Sequence, residues 1–476
     1  MKKVLLVFSM ASIVALSCNK SKDTADVIVD KPEFKNRSNA ESFVTVDPAF
    51  SGVSAFTLIS SSDTIPASPN FVFGGAPDGQ GFLKNPDGSG YIMVTNHENT
   101  WAVSRVYLDK KLNPVKGEYI VNTDGGMFRL CSGTLATPEE HGFGPLFLTT
   151  GESNVNAMTH AINPIATANP ADQSRVLPAL GKFSGENSVP LHKNAYPGKT
   201  VIILGEDAGN GQVYLYVSNT VGDLQNGKFY ALRRTNLDQI EKNMTEGNSY
   251  DVEFVEVPNA KNLTGTEIEN LNTSLKSIQF ARVEDLDYRK GNAVNNREIY
   301  FVATGVSGQP DKTYWGRMYR IKLDAANPLI GKLEVVEDGD LDNGGANGII
   351  NPDNVCVTDN YVYIQEDGDS FFPGATHNSL IWQYDIATGT KKRMLDLRNK
   401  IATTKFNPTN DQRFATWEHG AMVDISETIG EPNTFLINIH AHTWVEADRF
   451  LNPSRATSVQ PYKSGGQTLI LKGVPR

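Results

Sequence analysis

Six short apolar runs in this chain, each typical of a β-strand, end in a carboxylate or a histidine, and this repeat constrains the fold more than any other feature. The six ends are Asn96-His97-Glu98, Gly151-Glu152, Glu206-Asp207, Glu284-Asp285, Glu366-Asp367 and His440. Glu98, Glu152 and Glu206 lie 54 residues apart, and the later intervals of 78, 82 and 74 residues leave room for insertions. Because a four-stranded unit of a radial repeat needs roughly 40 to 50 residues, the spacing predicts six such units.

Turn-forming residues are abundant, with 41 glycines and 24 prolines in 476 residues, and helical periodicity is scarce. We therefore expect an all-β fold, namely a six-bladed β-propeller with loop insertions. Residues 236–244 suggest one short surface helix. Residues 156–200 contain five prolines and read as a long insertion or loop.

A radial arrangement brings strand ends that are distant in sequence to one mouth of a central channel. Carboxylates crowded there repel one another, and burial of an unpaired carboxylate is costly, so cations are needed to neutralise them. Oxygen ligands of this kind suit Ca²⁺, Mg²⁺ or Fe³⁺, so the pattern predicts metal without naming it. The net charge of −10 agrees with bound cations and argues against a nucleic acid as partner.

Two cysteines, Cys131 and Cys356, fall in the body of the chain. Cys131 precedes Glu152 within one repeat, so a thiol and a carboxylate belong to the same predicted blade. A thiolate among oxygen ligands favours a transition metal over calcium alone. Two alternatives stay open at this level: Cys131 is a small buried apolar residue, or it forms a disulfide with Cys356.

The first 18 residues have the pattern of an export signal, with two lysines, an apolar run too short to span a bilayer, and the ending Leu16-Ser17-Cys18. This ending has the form of a lipobox, which predicts that Cys18 carries a lipid and tethers the protein to a membrane. The alternative is an ordinary signal peptide that ends near a cysteine. We expect a flexible linker over residues 19–45 and the β-propeller domain over residues 46–476. The expected location is the cell envelope, as a periplasmic or outer-membrane lipoprotein.

Further motifs accompany the repeat along essentially the whole body. They are Phe73-Gly74 with Asp78, Asn96-His97-Glu98, Cys131-Ser132-Gly133-Thr134 with Thr137-Pro138, Thr150-Gly151-Glu152, Glu206-Asp207, Phe280-Ala281-Arg282-Val283-Glu284-Asp285-Leu286-Asp287, Pro352-Asp353-Asn354 and Glu366-Asp367-Gly368. Together they resemble the PhoX-type alkaline phosphatases. The cysteine segment and the segment from Arg282 to Asp287 are the most specific parts of this resemblance.

The resemblance implies a six-bladed propeller that holds two Fe³⁺ ions and several Ca²⁺ ions. It implies that Cys131, Glu206 and Glu284 are iron ligands. On the calcium side it implies the carboxylates Glu98, Glu152, Asp285, Asp353 and Glu366. Two purely structural alternatives stay open: Asp353 is also suited to cap a turn, and Asp367 is also suited to be a solvated turn residue.

The resemblance also indicates residues that act on the substrate. Arg282 lies two residues before Glu284, so on a strand both side chains point to one face, where a guanidinium can grip two phosphate oxygens. The alternative for Arg282 is a structural salt bridge. Asn96 and His97 are predicted to orient the substrate or to support Glu98, and a purely structural role is the alternative for His97.

The predicted function is hydrolysis of phosphomonoesters at an iron and calcium cluster in the propeller mouth, by a monomer tethered through Cys18. The first alternative is a calcium-dependent six-bladed lactonase or esterase, which needs no cysteine. The second is a binding propeller in which metal is only structural. Near the C-terminus, Glu418-His419-Gly420 and the segment from Asn438 to His442 depart from the family pattern, although His440 keeps its place in it. The sixth blade is therefore expected to hold its ligands differently, and the role of Glu418 stays open.

Overall fold

The computed structural model describes residues 31–367, 374–398, 405–446 and 464–476, in which β-strands are the main regular secondary structure. The predicted export signal, Cys18 and the first part of the predicted linker lie outside the described residues. Strands of the first half are β1 (Val44–Val46), β2 (Ser54–Ser60), β3 (Pro77–Lys84), β4 (Gly90–His97), β5 (Ala102–Asp109), β6 (Pro114–Val121), β7 (Arg129–Ala136), β8 (Leu146–Glu152), β9 (Thr159–Ile162), β10 (Gly185–Pro190), β11 (Thr200–Glu206) and β12 (Val213–Ser218).

Strands of the second half are β13 (Lys228–Arg234), β14 (Ser249–Glu256), β15 (Val283–Tyr288), β16 (Glu298–Ala303), β17 (Arg317–Leu323), β18 (Ile330–Asp338), β19 (Pro352–Val357), β20 (Tyr361–Glu366), β21 (Leu380–Asp385), β22 (Thr390–Leu397), β23 (Glu418–Asp424), β24 (Thr434–Ala441) and β25 (Gly465–Lys472). The α-helices are α1 (Thr123–Gly126), α2 (Gly265–Leu275) and α3 (Ser426–Ile429). Short 3₁₀ turns occur at Pro48–Phe50, Glu98–Thr100, Pro178–Leu180, Glu241–Asn243, Ala260–Asn262 and Asn295–Arg297. No helix within the described ranges is both long enough and apolar enough to cross a membrane.

The strands form five antiparallel sheets. Four are small, with the orders β3-β4-β5-β6, β7-β8-β9, β1-β22-β21-β20-β19 and β2-β25-β24-β23. The fifth has nine strands in the order β10-β11-β12-β13-β14-β18-β17-β16-β15, so its two edges are β10 and β15. Short connections between antiparallel neighbours suit the many turn residues of the sequence.

The first strand of each four-stranded stretch lies on the inside of the molecule. β3 contacts β7, β7 contacts β10, β10 contacts β15, β15 contacts β19, β19 contacts β23, and β23 contacts β3 again. These inner strands therefore form a closed circuit, with the sheets arranged around it. The fold is all-β and propeller-like, as expected.

Apolar side chains fill the spaces between neighbouring sheets. One such core joins Ile92 and Val94 of the first small sheet to Leu130 and Phe147 of the next, and all four side chains are buried. Each large apolar side chain that is buried in this way contributes about 1.5–3 kcal/mol. The core is therefore distributed around the ring, which keeps the inner strands close to the axis.

The N-terminal strands complete sheets that are otherwise built from the C-terminal half. β2 pairs with β25, and β1 pairs with β22. Phe43, just before β1, is fully buried and lies with its ring centroid 4.9 Å from those of Phe406 and Trp417. The compact unit that contains the sheets starts at Pro32, ahead of the boundary expected at residue 46.

Two local expectations from the sequence were wrong. Residues 156–200 are not one loop, because they contain β9, β10 and the start of β11. Residues 236–244 form only a 3₁₀ turn, and the longest described helix is α2 instead. Thr264 and Glu267 form a capping box at the start of α2, and this Thr-x-x-Glu pattern is the signal that could have located the helix.

Candidate metal centre

Each of the six inner strands carries one potential metal ligand at or near its first residue. These ligands are Asp78 on β3, Cys131 on β7, Glu186 on β10, Glu284 on β15, Asp353 on β19 and Glu418 on β23. In the first five strands the pairing register with the next strand shifts at the ligand, and in β23 it shifts just after Glu418. A β-bulge bends a strand and re-aims its side chains, so these irregularities turn the ligands toward the axis.

Ligand atoms from these strands and from the neighbouring turns lie within 4.8 Å of one another in five overlapping groups. The groups are Asp78, Cys131 and Glu186; Glu186, Glu284 and Asp353; Asp353, Asp367 and Glu418; Glu418, His440 and His442; and Asp78, Glu98 and His440. Because each group shares a residue with the next, the five groups close into one ring. We call these ten residues the central cluster.

The electrostatics of the central cluster require positive charge. Burial and neighbouring carboxylates raise the pKa values of Asp78, Glu186, Glu284 and Asp353 well above their usual range. Burial acts in the same direction on Glu418, but the charges and hydrogen bonds of the two nearby histidines outweigh it and hold its pKa well below the usual range. Bound cations would neutralise this crowd of buried acids.

Cys131 is buried, and its sulfur lies 2.6 Å from Oε2 of Glu152. Burial, together with the adjacent carboxylates, raises the pKa of the Cys131 thiol, and burial raises that of Glu152 to about 7. Cys131 and Cys356 are both free thiols, so the structure excludes the disulfide that the sequence left open. Cys356 lies instead in an apolar core between two sheets.

Asn96 holds the backbone that carries Cys131. Its Nδ2 donates to the carbonyl oxygen of Cys131 at 2.6 Å and to Oγ1 of Thr149 at 2.8 Å. The residue is fully buried. In this structure the contacts of Asn96 are therefore those of a support for the thiol segment.

Arg282 lies beside the central cluster and is held by two acids. Its Nε and Nη2 donate to Oδ1 and Oδ2 of Asp207 at 2.7 and 3.0 Å, and Nη2 lies 3.0 Å from Oε1 of Glu284. Its backbone φ of +63° is unusual for a side chain of this size, which shows that its position is strongly determined. The side chain is 29 % exposed, so the guanidinium reaches the solvent-facing side of the site.

A second guanidinium approaches the site from the start of β7. Nη1 of Arg129 lies 3.7 Å from Glu98, and its Nε lies 3.8 Å from Glu152. The negative charge of Glu98 is the largest of the effects that raise the pKa of Arg129. The mouth therefore combines carboxylates with two arginines.

The second strands of the sheets explain why two predicted ligands lie elsewhere. Glu206 and Glu366 pair directly with Gly185 and Pro352 at the start of the inner strands. Side chains on a strand alternate between faces, so these two carboxylates point into the sheets. Of the residues that follow them, Asp207 pairs with Arg282 and Asp367 belongs to the central cluster. Glu206, rather than Asp207, was predicted as a ligand because it lies 54 residues after Glu152, the same interval that separates Glu98 from Glu152.

Both displaced carboxylates have hydrogen-bond donors inside the protein. Glu366 accepts from the backbone N–H of Ile350 and Leu380 and from Nε1 of Trp382. Glu206 accepts from the Tyr214 hydroxyl at 2.9 Å, and burial raises its pKa to about 8. Neither residue belongs to the central cluster.

Two other predicted residues lie just outside the central cluster. Asp285 accepts from Asn187 Nδ2 and from the backbone N–H of Val355, and burial raises its pKa to about 7. His97 lies 2.7 Å from the Ser104 hydroxyl and packs edge-on against Phe73. Of the predicted metal ligands, the structure brings Cys131, Glu284, Glu98 and Asp353 together in the central cluster, with Glu152 against the thiol.

Six members of the central cluster were not among the predicted ligands: Asp78, Glu186, Asp367, Glu418, His440 and His442. Glu186 falls in the segment that was taken for a loop, and β10, with the sequence GENSVP, lacks the apolar alternation that marks a strand. Asp78 and Asp367 lie in motifs of the PhoX resemblance, but an aspartate by its residue type alone does not indicate a metal ligand. The signal that could have found them is the start of each inner strand, rather than the end of each second strand.

The donors of the central cluster fit a mixed metal centre. Seven carboxylates suit hard cations, while one thiol and two imidazoles suit a transition metal. Oδ1 of Asp78 is buried and has no hydrogen-bond partner among the described residues. A buried acceptor without a donor is costly, and a cation at this position would satisfy it.

The fold and the site together define a propeller-like protein with a candidate metal centre of carboxylates, histidines and a thiol. Residues 161–412, more than half of the chain, match the family model described as alkaline phosphatase PhoX. The chain therefore belongs to the PhoX alkaline phosphatase family, and it is a phosphoric ester hydrolase.

One solved structure agrees with the family on the fold, and two others are similar at lower TM-scores. Pseudomonas fluorescens PhoX, in complex with the transition state analogue vanadate, aligns with a TM-score of 0.65 at 14% identity, over 93% of this chain and 98% of that chain. A Penicillium chrysogenum α-L-arabinanase aligns with a TM-score of 0.39 at 11% identity, over 87% of this chain and 98% of that one. A Fusarium graminearum α-L-arabinofuranosidase gives 0.38 at 12% identity, over 82% and 92%. Among curated protein sequences, none matches the chain significantly.

Proposed function

We propose that this protein hydrolyses phosphomonoesters at an iron and calcium cluster held in the mouth of a six-bladed β-propeller. The observation that carries the proposal is the central cluster, in which one thiol and seven carboxylates from distant parts of the chain belong to five overlapping groups, each with its ligand atoms within 4.8 Å of one another. Membership of the PhoX family gives the chemistry. The lone thiol is what a calcium-only lactonase site would not need.

Six blades follow from dividing the nine-stranded sheet where β14 pairs with β18. Five consecutive antiparallel strands, β10 to β14, lie on one side of this junction and four, β18 to β15, on the other, and each series has an inner strand at its far edge. The pairing is then a contact between the outer strands of two adjacent blades. This division supports the count of six inner strands, each with its own ligand.

The arrangement of donors suggests how the metals are shared. Cys131, with Asp78 and Glu186 in the same group, is suited to Fe³⁺. The groups without sulfur, such as Asp353, Asp367 and Glu418, are suited to Ca²⁺. Bound cations would neutralise the phosphoryl oxygens and activate an oxygen nucleophile, so no serine or threonine nucleophile is needed.

Arg282 would bind the phosphate of the substrate. Asp207 and Glu284 hold its Nε and Nη2, and the side chain is 29 % exposed, so the guanidinium lies between these acids and the solvent. A fixed cation there attracts the phosphate and stabilises the additional negative charge of the transition state. The strained backbone of Arg282 is consistent with a position selected for function.

The two free cysteines offer a matched test of the metal centre. Cys131→Ala should reduce p-nitrophenyl phosphate turnover roughly 100-fold or more and remove iron, because it deletes a ligand rather than a supporting residue. Cys356→Ala removes an equally buried thiol from an apolar core and should keep the metals and the activity. Elemental analysis and turnover with and without a chelator give the readouts. Full activity and iron content in Cys131→Ala would refute the proposal, and lactone hydrolysis without phosphatase activity in the wild type would favour the lactonase.

The place of action is a separate proposal that depends on the N-terminal sequence. We propose that the protein acts in the cell envelope, tethered through lipid on Cys18, where phosphate esters from outside the cytoplasm can reach it. Metabolic labelling with palmitate should mark the wild-type chain and not Cys18→Ala. Equal labelling of both chains, or none in the wild type, would contradict the anchor without affecting the metal centre.

A further inference from the structure

A cavity of about 350 Å³ lies on the turn between β11 and β12, outside the central cluster. Its lining includes Glu206, Gln212, Glu269, Asn272 and Thr273. Glu206, Gln212 and Asn272 are each more than nine-tenths buried, whereas Glu269 and Thr273 are exposed. The cavity is therefore open to solvent on one side and has buried polar groups on the other.

The buried groups of this cavity present oxygen atoms that lack donors. Nε2 of Gln212 donates to the carbonyl of Asn210 at 2.9 Å, and Nδ2 of Asn272 donates to the Tyr214 hydroxyl at 2.7 Å. Both amide N–H₂ groups are thus engaged, while Oε1 of Gln212 and Oδ1 of Asn272 have no hydrogen-bond partner in the described part of the chain. Each buried acceptor left in this state costs about 1–3 kcal/mol.

The same cavity contains negative charge without a compensating cation. Glu206 lies at its buried end and Glu269 at its exposed end. Of the described residues that line it, none is a lysine or an arginine. A ligand that satisfies two carboxylates and two amide oxygens must be a donor or a cation.

We propose that this cavity binds one hard divalent cation, such as Ca²⁺, through Glu206, Gln212 Oε1 and Asn272 Oδ1. Ca²⁺ takes six to eight oxygen ligands in flexible geometry, and the volume of the cavity leaves room for water at the remaining positions. The exposed Glu269 adds negative charge on the path by which the cation enters. This ion is additional to those of the central cluster, and its binding does not depend on the proposed phosphatase activity.

Such an ion would act on the site through the turn that holds it. Asp207 follows Glu206 directly, and Asp207 fixes the guanidinium of Arg282. The backbone N–H of Arg282 also donates to the carbonyl of Ala208, which lines the cavity. A cation bound in the cavity would therefore make the turn that holds Arg282 more rigid. Glu206 and Asn272 would then act as positioning residues for Arg282.

The test compares metal stoichiometry in purified holoenzyme variants. Glu206→Gln keeps the shape of the side chain and removes its charge, and Gln212→Met removes an oxygen ligand at similar size. Glu256→Gln is the matched control, since it removes an exposed carboxylate that pairs with Lys228 and does not line the cavity. Calcium and iron are counted by elemental analysis, and Tb³⁺ titration follows the site by luminescence sensitised through the adjacent Tyr214.

We expect both cavity variants to contain one calcium fewer per chain than the wild type, to bind Tb³⁺ at this site at least tenfold more weakly and to retain their iron. The control should match the wild type in all three respects. Unchanged calcium content and Tb³⁺ binding in both variants would overturn the proposal. Loss of iron together with calcium would also overturn it, because Glu206 would then belong to the central cluster. A wild type without phosphatase activity would contradict the proposed function and leave this count intact.

Discussion

Arg282 and Asp207 form a two-point ion pair, in which Nε and Nη2 of the guanidinium donate to the two carboxylate oxygens at 2.7 and 3.0 Å. The pair joins the turn after β11 to the start of β15. The guanidinium beside inner strand β15 is therefore held in place by an acid at the end of β11. Charge-assisted bonds of this kind contribute about 1.5–3 kcal/mol each. Arg282 is therefore positioned before any substrate arrives.

Asp207→Asn should weaken that positioning while the metals stay bound. Because the neutral amide holds the guanidinium through one oxygen, we expect kcat/KM for p-nitrophenyl phosphate to fall roughly 10- to 100-fold. Arg282→Lys should fall further, since a single ammonium does not reproduce the planar fork. Steady-state kinetics with elemental analysis measure both effects. Wild-type kinetics in Asp207→Asn would show that the ion pair is only structural.

Glu186 and Glu366 are both buried glutamates, but only Glu186 belongs to the central cluster. Glu186→Gln should lower the metal content and reduce turnover roughly 100-fold. Glu366→Gln should instead lower the melting temperature and keep the metal content, because its carboxylate accepts from Trp382 and two backbone amides. Elemental analysis and thermal unfolding separate the two outcomes. Equal metal content in the two variants would argue against the position assigned to Glu186.

The metal-free protein should lose stability as the pH rises above neutrality. Burial raises the pKa of Glu152 and Asp285 to about 7 and that of Glu206 to about 8. The folded state thus keeps protons that the unfolded chain has already released, so the free energy of unfolding falls as the pH passes through these values. Thermal unfolding of chelator-treated protein between pH 6.5 and 8 measures the slope, and holoenzyme should show a smaller one.

Below that window, buried histidines act in the opposite direction. Burial lowers the pKa of His97 and His419 to about 3 and that of His141 and His160 to about 4. Unfolding therefore takes up protons below the ordinary histidine pKa of about 6.5, which destabilises the folded state in acid. A melting temperature that rises from pH 6.5 to 8 in metal-free protein would contradict the effect assigned to the carboxylates.

Asn96→Ala should act on stability and metal loading more than on chemistry. The substitution removes the donors to the carbonyl oxygens of Cys131 and Ser132 and leaves both buried without that partner. We expect a loss of about 2–3 kcal/mol in the free energy of unfolding and a lower iron content. Denaturant unfolding and activity per bound iron give the readout. A large fall in kcat per bound iron with normal stability would instead indicate that Asn96 orients the substrate.

Gly79 is packed against the segment that carries the thiol. A methyl group at this position would lie 2.4 Å from the backbone nitrogen of Gly133 and 2.7 Å from Nδ2 of Asn96. Gly79→Ala should therefore destabilise the protein by about 1–3 kcal/mol and lower its iron content. Gly52→Ala is the control, because no atom lies within 4 Å of the added methyl group. Equal melting temperatures for the two variants would contradict this close packing.

The sequence contained enough information for the class of fold and for a convergence of potential metal ligands. Strand runs with turn residues predicted an all-β repeat, and acids at regular intervals predicted their convergence. Cys131 and Glu284 were located because each lies in an unusual motif, and the structure brings both into the central cluster. The assignment of iron or calcium to individual residues remains a prediction.

The details that sequence reasoning missed depend on register. Whether Glu206 or Asp207 faces the mouth is decided by a shift of one residue, which no composition or interval reveals. Glu186 was missed because β10 is short and lies among prolines, so its segment looked like a loop. The bulges that aim the inner ligands have no local signature in a single sequence either.

The pairing of β2 with β25 has a consequence for how the protein is made. β2 is synthesised early, whereas β25, the strand with which it pairs, lies near the C-terminus and is synthesised last. Until then Glu418 and His440, on the sheet shared by β23 and β24, have no fixed place beside Asp78. A chain truncated before β25 would lack the strand that joins β2 to β24, so the N-terminal strand would have no partner in this sheet.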